Sequence, residues 1–307
     1  DGLIACSRVA ATTDSLLLAE TFPARITRGA GLPNPERLGY LAEFAQTQLE
    51  GLQHLVLIDA ASPVSFFAYP DRVSDFVPEG CEVHVLAARD EDVVDAVVRL
   101  AEAVGAAPDA AVLKEPGRPS APTGDLTPQS VAMAIGATLP DDALVAHEAN
   151  TSGLFVSGLT AGAGRHDWLC ITGGAIGDGL PMATGAAIAC PDRPVLCLES
   201  DGSALYNIQA LWTQAREGLD ITTLLFDNGA YSILRLELGR VGTDGGGPRA
   251  HDMLDLGRPS LDFVAIAEGF GVPAARPATC DELVAALELA FDEPGPHLIV
   301  VSVDPMF

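Results

Sequence analysis

The chain has 307 residues, enough for two domains of ordinary size. Asp and Glu number 42 against 17 Lys and Arg, a formal net charge of −25, which argues against nucleic acid or anionic lipid as a partner because both need a basic face. Hydrophobic residues make up 48% and charged ones 19%, so the chain can build a real core and is not a disordered sequence. It begins at Asp1, in what reads as the start of a helix, and so reads as part of a longer protein. Residues 15–22 follow as a strand and 35–52 as a helix. Residues 54–60 form a second strand, and 62–70 a Pro-containing loop. Residues 82–88 are a third strand, and Asp90-Glu91-Asp92 opens a helix to 104 with acidic groups where the helix dipole favours them. Strand, crossover helix, strand is the pattern of a parallel α/β sheet. At 113–125 the composition turns to Pro, Gly, Ser and Lys, which reads as an interdomain linker.

The second domain, 126–307, opens at Thr127-Pro128, with Pro in the first turn of a helix to 139. A strand at 144–146 leads into a polar loop, 147–153. The glycine-rich run 172–179 precedes a helix of small residues, 180–189. Residues 195–198 are a short apolar strand. Residues 204–217 are a helix with Leu205, Ile208, Leu211, Trp212 and Ala215 on one face, and 221–226 are a buried strand. Gly242 to Gly247 interrupt the pattern, and a helix (281–291) and strand (298–303) close the domain. The fold class expected is α/β, two parallel-sheet domains with helices on both faces.

Several chemistries are excluded residue by residue. The single lysine, Lys114, stands beside Pro116 and Gly117, which is neither a P-loop nor a rigid pyridoxal site. The six cysteines contain no Cys-x-x-Cys and the six histidines no i, i+4 pair, so no zinc signature or disulfide framework is expected. No apolar run is long enough to span a bilayer, and no secretory signal is recognisable, so no membrane partner is expected and the cytosol is the expected compartment. The runs 173–179 and 162–164 do not fit Gly-x-Gly-x-x-Gly, which argues against a nicotinamide cofactor.

The informative segment runs from Asp201-Gly202-Ser203 to Asp227-Asn228-Gly229. Asp201 lies just past one strand and Asn228 just past the next, 27 positions on, with one crossover helix between. A right-handed βαβ unit places such strands parallel, with their carboxyl ends on the crevice where open α/β sheets bind ligands. A carboxylate and an amide oxygen converging there suit Mg²⁺. Gly202-Ser203 opens a helix, whose free N–H groups favour an anion. Either residue alone is commonly only a turn or a cap. Together, at this spacing, they describe a site for a metal-bridged diphosphate.

These residues resemble the motif of thiamine-diphosphate-dependent enzymes, Gly-Asp-Gly-Ser … Asn-Asn, with Ser200 and Asp227 departing from it at positions that are not side-chain ligands. The resemblance implies Mg²⁺ on Asp201, Asn228 and the carbonyl of Ala230. Residues 173–181 look like the family's segment facing the cofactor's pyrimidine, with Gly174 in that run and Ile176 as the apolar wedge that bends the cofactor. Residues 148–152, including Asn150 and Thr151, look like the loop that helps hold the diphosphate, with Gly202 and Ser203 beside it. Tyr231 is a candidate for the pocket wall, as is the aromatic loop 66–69, and packing is the alternative for both. Residues 203–212 and 261–263 resemble acetolactate synthases and benzoylformate decarboxylases. Residues 1–112 look like the family's central domain without its first strand, and 126–307 like its diphosphate-binding domain. The pyrimidine-binding domain, whose glutamate protonates the cofactor, is not in this stretch.

The resemblance implies a Mg²⁺- and thiamine-diphosphate-dependent enzyme that decarboxylates a 2-oxo acid and transfers the acyl carbanion to a second carbonyl, as acetolactate synthases do. Simple decarboxylation of the benzoylformate type is the alternative; the histidine those enzymes carry in the central domain has no counterpart in residues 66–69. A noncatalytic binding fragment is a further reading. The expectations are a small-molecule substrate, a homo-dimer or homo-tetramer, no catalytic residue in residues 1–307, and no turnover by these residues alone.

Overall fold

A computed structural model describes residues 1–241 and 246–305. Residues 242–245, within the glycine-rich run expected to interrupt the pattern, lie outside the described residues. The chain divides into two compact units, residues 1–23 with 32–114 and residues 24–31 with 115–307.

In the first unit, α1 (Gly2–Thr13) is followed by β1 (Leu18–Ala19). The next strand, β2 (Arg25–Arg28), is part of the other unit. Then come β3 (Glu36–Arg37), α2 (Ala42–Leu49), β4 (His54–Ile58), β5 (Glu82–Ala87) and α3 (Val93–Ala103). β1 pairs with β3, and β4 with β5, both in parallel. The strand expected at 15–22 shortens to two residues, and the helix expected from 35 starts only at Ala42, because β3 occupies its first turn. One face of α2 supplies Ala42, Ala45 and Leu49 at helical spacing, and they pack with Tyr69 and Phe76. Tyr69 is thus a packing residue, while Phe66 and Phe67 of the same loop are exposed. Asp92 caps α3, its carboxylate accepting from the Asp95 N–H at 3.0 Å, an interaction worth about 1 kcal/mol.

The second unit continues with α4 (Pro128–Thr138), β6 (Leu144–His147), α5 (Val156–Leu159) and β7 (His166–Cys170). A single 3₁₀ turn, Thr172–Gly174, leads to α6 (Gly179–Ala189), β8 (Val195–Ser200), α7 (Asp201–Asn207) and α8 (Ala210–Glu217). β9 (Ile221–Asp227), α9 (Ser232–Arg240), α10 (Pro248–Met253) and α11 (Phe263–Gly269) follow, and β10 (Ala274–Ala275), α12 (Cys280–Asp292) and β11 (His297–Ser302) complete it. The helix start expected at Thr127 is a reciprocal cap. The Thr127 hydroxyl accepts from the Ser130 N–H at 3.1 Å, and the Thr127 N–H donates to the Ser130 hydroxyl at 2.8 Å. The single helix expected at 204–217 is two, α7 and α8.

The sheet has seven strands in the order β10-β11-β9-β8-β6-β7-β2. All neighbours are parallel except β2, which runs antiparallel to β7 at the edge. Its central strands are buried through every residue up to their last, as expected of parallel strands covered on both faces. Leu180, Ala183 and Ala187 of α6 recur at helical spacing and pack with Val195, Cys197, Ile221 and Leu225. Burying each large aliphatic side chain here contributes about 1.5–3 kcal/mol. Gly29, next to β2, has φ 121°, and a Cβ there would lie 2.5 Å from the Gly164 carbonyl oxygen, so only glycine fits.

Candidate functional site

The strand order decides which loops meet. β9, β8, β6 and β7 are adjacent and parallel, so the segments leaving their carboxyl ends emerge on one edge of the sheet. These segments are 228–231, 201–203, 148–152 and 171–179. They hold all ten residues singled out for cofactor and metal from the sequence.

Asp201 is the centre of this edge. Its side chain is 1% exposed, and all its hydrogen-bond donors are backbone amides. Oδ2 accepts from the N–H groups of Asn228 (3.1 Å) and Gly229 (2.7 Å), and Oδ1 from that of Gly202 (2.8 Å). The turn after β9 therefore wraps around a carboxylate at the end of β8. Gly229 takes φ 67° to do so. Burial pushes the Asp201 carboxyl up to about 6, opposed by its backbone N–H partners and reinforced by Asp227. Among the described residues Asp201 has no basic partner within ion-pair distance. A buried carboxylate without a cation is the environment a divalent ion stabilises, so the donor set fits Mg²⁺.

Asn228 is half-buried. Its Nδ2 donates to the Ser152 hydroxyl at 3.1 Å, and its Oδ1 accepts from the Ala230 N–H at 3.0 Å. The Ala230 carbonyl accepts from the Ser232 N–H at 2.9 Å. Asp201 and Asn228 thus come together through backbone amides, and the Asn228 amide oxygen is turned to its own loop. Gly202 and Ser203 lie in the first turn of α7 and are buried. A Cβ on Gly202 would sit 2.6 Å from the Tyr231 ring, so Tyr231 lies directly over bare backbone. Asn150 and Thr151 stand in the turn after β6, where the Asn150 N–H donates to the Glu148 carbonyl at 2.7 Å.

The segment after β7 is held from beneath. The buried Glu148 carboxylate accepts from the N–H groups of Gly177 and Gly179, and the Asn207 amide donates to the Gly177 carbonyl at 2.7 Å. Gly173, Gly174 and Gly177 all have positive φ, which lets the segment turn three times in five residues. Ile176 stands on the raised part of this turn, 40% exposed, although an isoleucine in an apolar stretch would ordinarily be core.

Sequence reasoning missed two residues here. Glu148 read as part of the diphosphate loop but serves as an anchor for the glycine segment. Glu199 was not singled out, yet it is fully buried beside Glu148. Burial, and then the neighbouring Glu148, push its carboxyl well above the usual range. A charged residue directly continuing the apolar run Leu196-Cys197-Leu198 was the available signal.

An open parallel α/β sheet with a buried carboxylate and two glycine-rich turns at one edge defines a diphosphate-binding class of domain. Residues 159–301, within the second unit, match the family described as thiamine pyrophosphate enzyme, C-terminal TPP binding domain. Over 303 residues the chain is 57% identical to a Mycobacterium tuberculosis protein named "Putative acetolactate synthase large subunit IlvX", covering 98% of this chain and 58% of that protein. It is 35% identical over 178 residues to benzoylformate decarboxylase of Pseudomonas aeruginosa, covering 58% of this chain and 32% of that protein. In fold it is similar to Rhodococcus jostii RHA1 thiamine diphosphate-dependent 4-hydroxybenzoylformate decarboxylase, with TM-score 0.76, 24% identity, and coverage of 98% of this chain and 58% of that one. The chain thus spans little more than half the length of that Mycobacterium tuberculosis protein. No helix among the described residues is long and apolar enough to cross a membrane.

Proposed function

We propose that this chain is the diphosphate- and metal-binding part of a Mg²⁺- and thiamine-diphosphate-dependent enzyme that decarboxylates a 2-oxo acid and passes the acyl carbanion to a second carbonyl. The observation that carries the reading is the buried carboxylate of Asp201, without a basic side chain at ion-pair distance among the described residues and wrapped by the Asn228–Gly229 turn, on the unit that matches the cofactor-binding family. Asp201, Asn228 and the Ala230 carbonyl would hold the metal. The N–H groups of Gly202 and Ser203, with Asn150 and Thr151, would hold the diphosphate, aided by the positive end of α7. The segment with Gly174 and Ile176 would meet the cofactor's pyrimidine side, and Tyr231 would line the pocket.

When bound, thiamine diphosphate supplies a nucleophilic carbon and an electron sink for loss of CO₂ from a 2-oxo acid. This chain's residues have three tasks. Asp201 and Asn228 would hold the metal, whose positive charge would neutralise the diphosphate. Glu148 fixes the height of the glycine segment, and with it the position of Ile176. Tyr231 and Leu256, which both lie within 4 Å of the Cβ position of Gly202, exclude water from that side. The carboxyls described at this edge are not free to protonate the cofactor ring: Asp201 would be given to the metal, Glu148 accepts from two backbone amides, and Glu199 is fully buried against Gly179. That proton is assigned to a glutamate outside residues 1–307, reaching over from another subunit of a homo-dimer or homo-tetramer in the cytoplasm.

Release of CO₂ without ligation is the second reading, favoured by the likeness to a protein named benzoylformate decarboxylase. Calorimetric titration of the chain with thiamine diphosphate, with and without Mg²⁺, tests the site. Metal-dependent binding supports it, and its absence leaves a noncatalytic fragment. Product identification after incubating the longer protein with pyruvate, then with benzoylformate, separates ligation from simple decarboxylation. The same assay on residues 1–307 is expected to show no turnover.

A further inference from the structure

The first unit carries a side-chain cluster that the proposed chemistry does not use. β4 and β5 pair in parallel with His54 opposite Glu82 and Val56 opposite His84. Glu82 and His84 are two residues apart on one strand, so they share a face, and pairing with His54 brings three ligand-type side chains together. The distances are 3.2 Å from His54 Nδ1 to His84 Nε2, 3.6 Å from His54 Nδ1 to Glu82 Oε2, and 3.9 Å from His84 Nε2 to Glu82 Oε2.

These are the edges of a coordination triangle. A tetrahedral zinc ion with ligands at about 2.0–2.2 Å separates its ligand atoms by ~3.4 Å. The two ring nitrogens face each other at nearly that spacing, and the carboxylate oxygen completes the triangle within half an ångström. As neutral imidazoles, one of the facing nitrogens can donate a proton to the other, which leaves that acceptor and the Glu82 carboxylate as two acceptors on the same point. A cation with three acceptors is the better electrostatic solution. All three side chains are exposed, so a fourth position opens to water. Two imidazoles and one carboxylate suit a borderline divalent ion, Zn²⁺ above Mg²⁺ or Ca²⁺.

We propose that His54, Glu82 and His84 form a Zn²⁺ site that clips β4 to β5. It is separate from the Asp201 site in residues and in chemistry, and it stands whether or not the cofactor reading holds. The sequence concealed it because zinc signatures are sought at helical or Cys-x-x-Cys spacing, whereas this one is i, i+2 on a strand plus one residue of its neighbour.

The test is titration of the chain with Zn²⁺ in excess Mg²⁺, comparing the parent with His54→Ala, His84→Ala, Glu82→Gln and Asp201→Ala. The expected result is one Zn²⁺ per chain in the parent and in Asp201→Ala. Each substitution in the cluster should weaken binding by at least the ~10–100-fold lost when even an outer-sphere partner is removed. The substituted side chains are exposed, so the variants should fold, and circular dichroism checks it. Co²⁺ in place of Zn²⁺ should give tetrahedral visible bands without a thiolate charge-transfer band, which separates this site from binding at the cysteines. Thermal unfolding should shift upward with Zn²⁺ in the parent and not in His84→Ala. Failure to bind Zn²⁺, binding unchanged in His54→Ala and His84→Ala, or a thiolate band would overturn the proposal.

Discussion

Glu148 and Glu199 meet across the backbone of Gly179. A Cβ at that glycine would lie 2.6 Å from Oε2 of Glu199 and 2.8 Å from Oε2 of Glu148. Both carboxyls are fully buried, and neither can swing out to solvent. The absence of a side chain at Gly179 is therefore what allows an acidic pair to sit under the glycine segment.

Gly179→Ala should lower stability by roughly 1–3 kcal/mol, the usual penalty for inserting a methyl into a packed site. It should also weaken thiamine-diphosphate binding, because Glu148 would lose its grip on Gly177. Gly185, in the same helix, is the control. Nothing lies within 4 Å of its Cβ position, so Gly185→Ala should gain about 0.5–1 kcal/mol. Urea unfolding of both variants checks the pair; equal effects would show that Gly179 is only a helix residue.

Asp201→Ala and Asn228→Ala should each abolish Mg²⁺-dependent cofactor binding while the far-ultraviolet spectrum stays that of the parent. The proposed ligands stand at adjacent strand ends, and removing one would leave the metal without its anionic or its amide donor. Unaltered affinity in a folded variant would refute the assignment.

Ile176→Ala tests shape against anchoring. At 40% exposure the side chain contributes little to the core, so stability should change by no more than about 0.5 kcal/mol. In the enzyme proposed above, kcat should fall far more than cofactor affinity, as when a near-attack geometry is lost. Parallel losses in kcat and affinity would assign Ile176 to binding instead.

Acid sensitivity should trace in part to His166. The side chain is fully buried, its Nδ1 lies 2.8 Å from the Gly164 carbonyl, and burial, with Arg28 adding to it, holds its pKa below the ordinary 6.5. A base with a depressed folded pKa takes up its proton more readily in the unfolded chain. Its contribution to stability is therefore whole above pH 6.5 and is lost as pH falls from there through the folded value. Denaturant midpoints taken across that range should decline less steeply for His166→Gln than for the parent. Identical slopes would place the acid sensitivity elsewhere.

Much of the second unit was legible because its signals are local. Thr127-Pro128 announced a helix start, and the apolar runs at 195–198 and 221–226 announced strands. The spacing of Asp201 and Asn228 put both at adjacent strand ends on the ligand-binding edge. The hydrogen bonds that hold them were not legible. They run from backbone amides to a carboxylate, and no residue pattern encodes which amide will point where. β7 went unread because His166 and Asp167 interrupt its apolar pattern; both are buried, and Asp167 is satisfied by Thr27, Arg25 and Arg193. β2 went unread for the complementary reason, since Arg25, Thr27 and Arg28 look like surface until their partners on β7 and Ser157 are known.

The placement of β2 has a consequence for taking the molecule apart. The chain passes between its two units after Pro23, again after Gly31 and again after Lys114, so neither unit is an unbroken stretch of sequence. A single nick in the Pro- and Gly-rich segment after Lys114 would leave the amino-terminal piece stitched to the other by the β2–β7 ladder and by Arg25 on Asp167. Conversely, a gene fragment started at that segment would encode a sheet with β7 as a bare margin, open to pairing with a neighbouring molecule. Anyone wishing to express the cofactor-binding half by itself should therefore graft residues 24–31 back onto it, or expect aggregates.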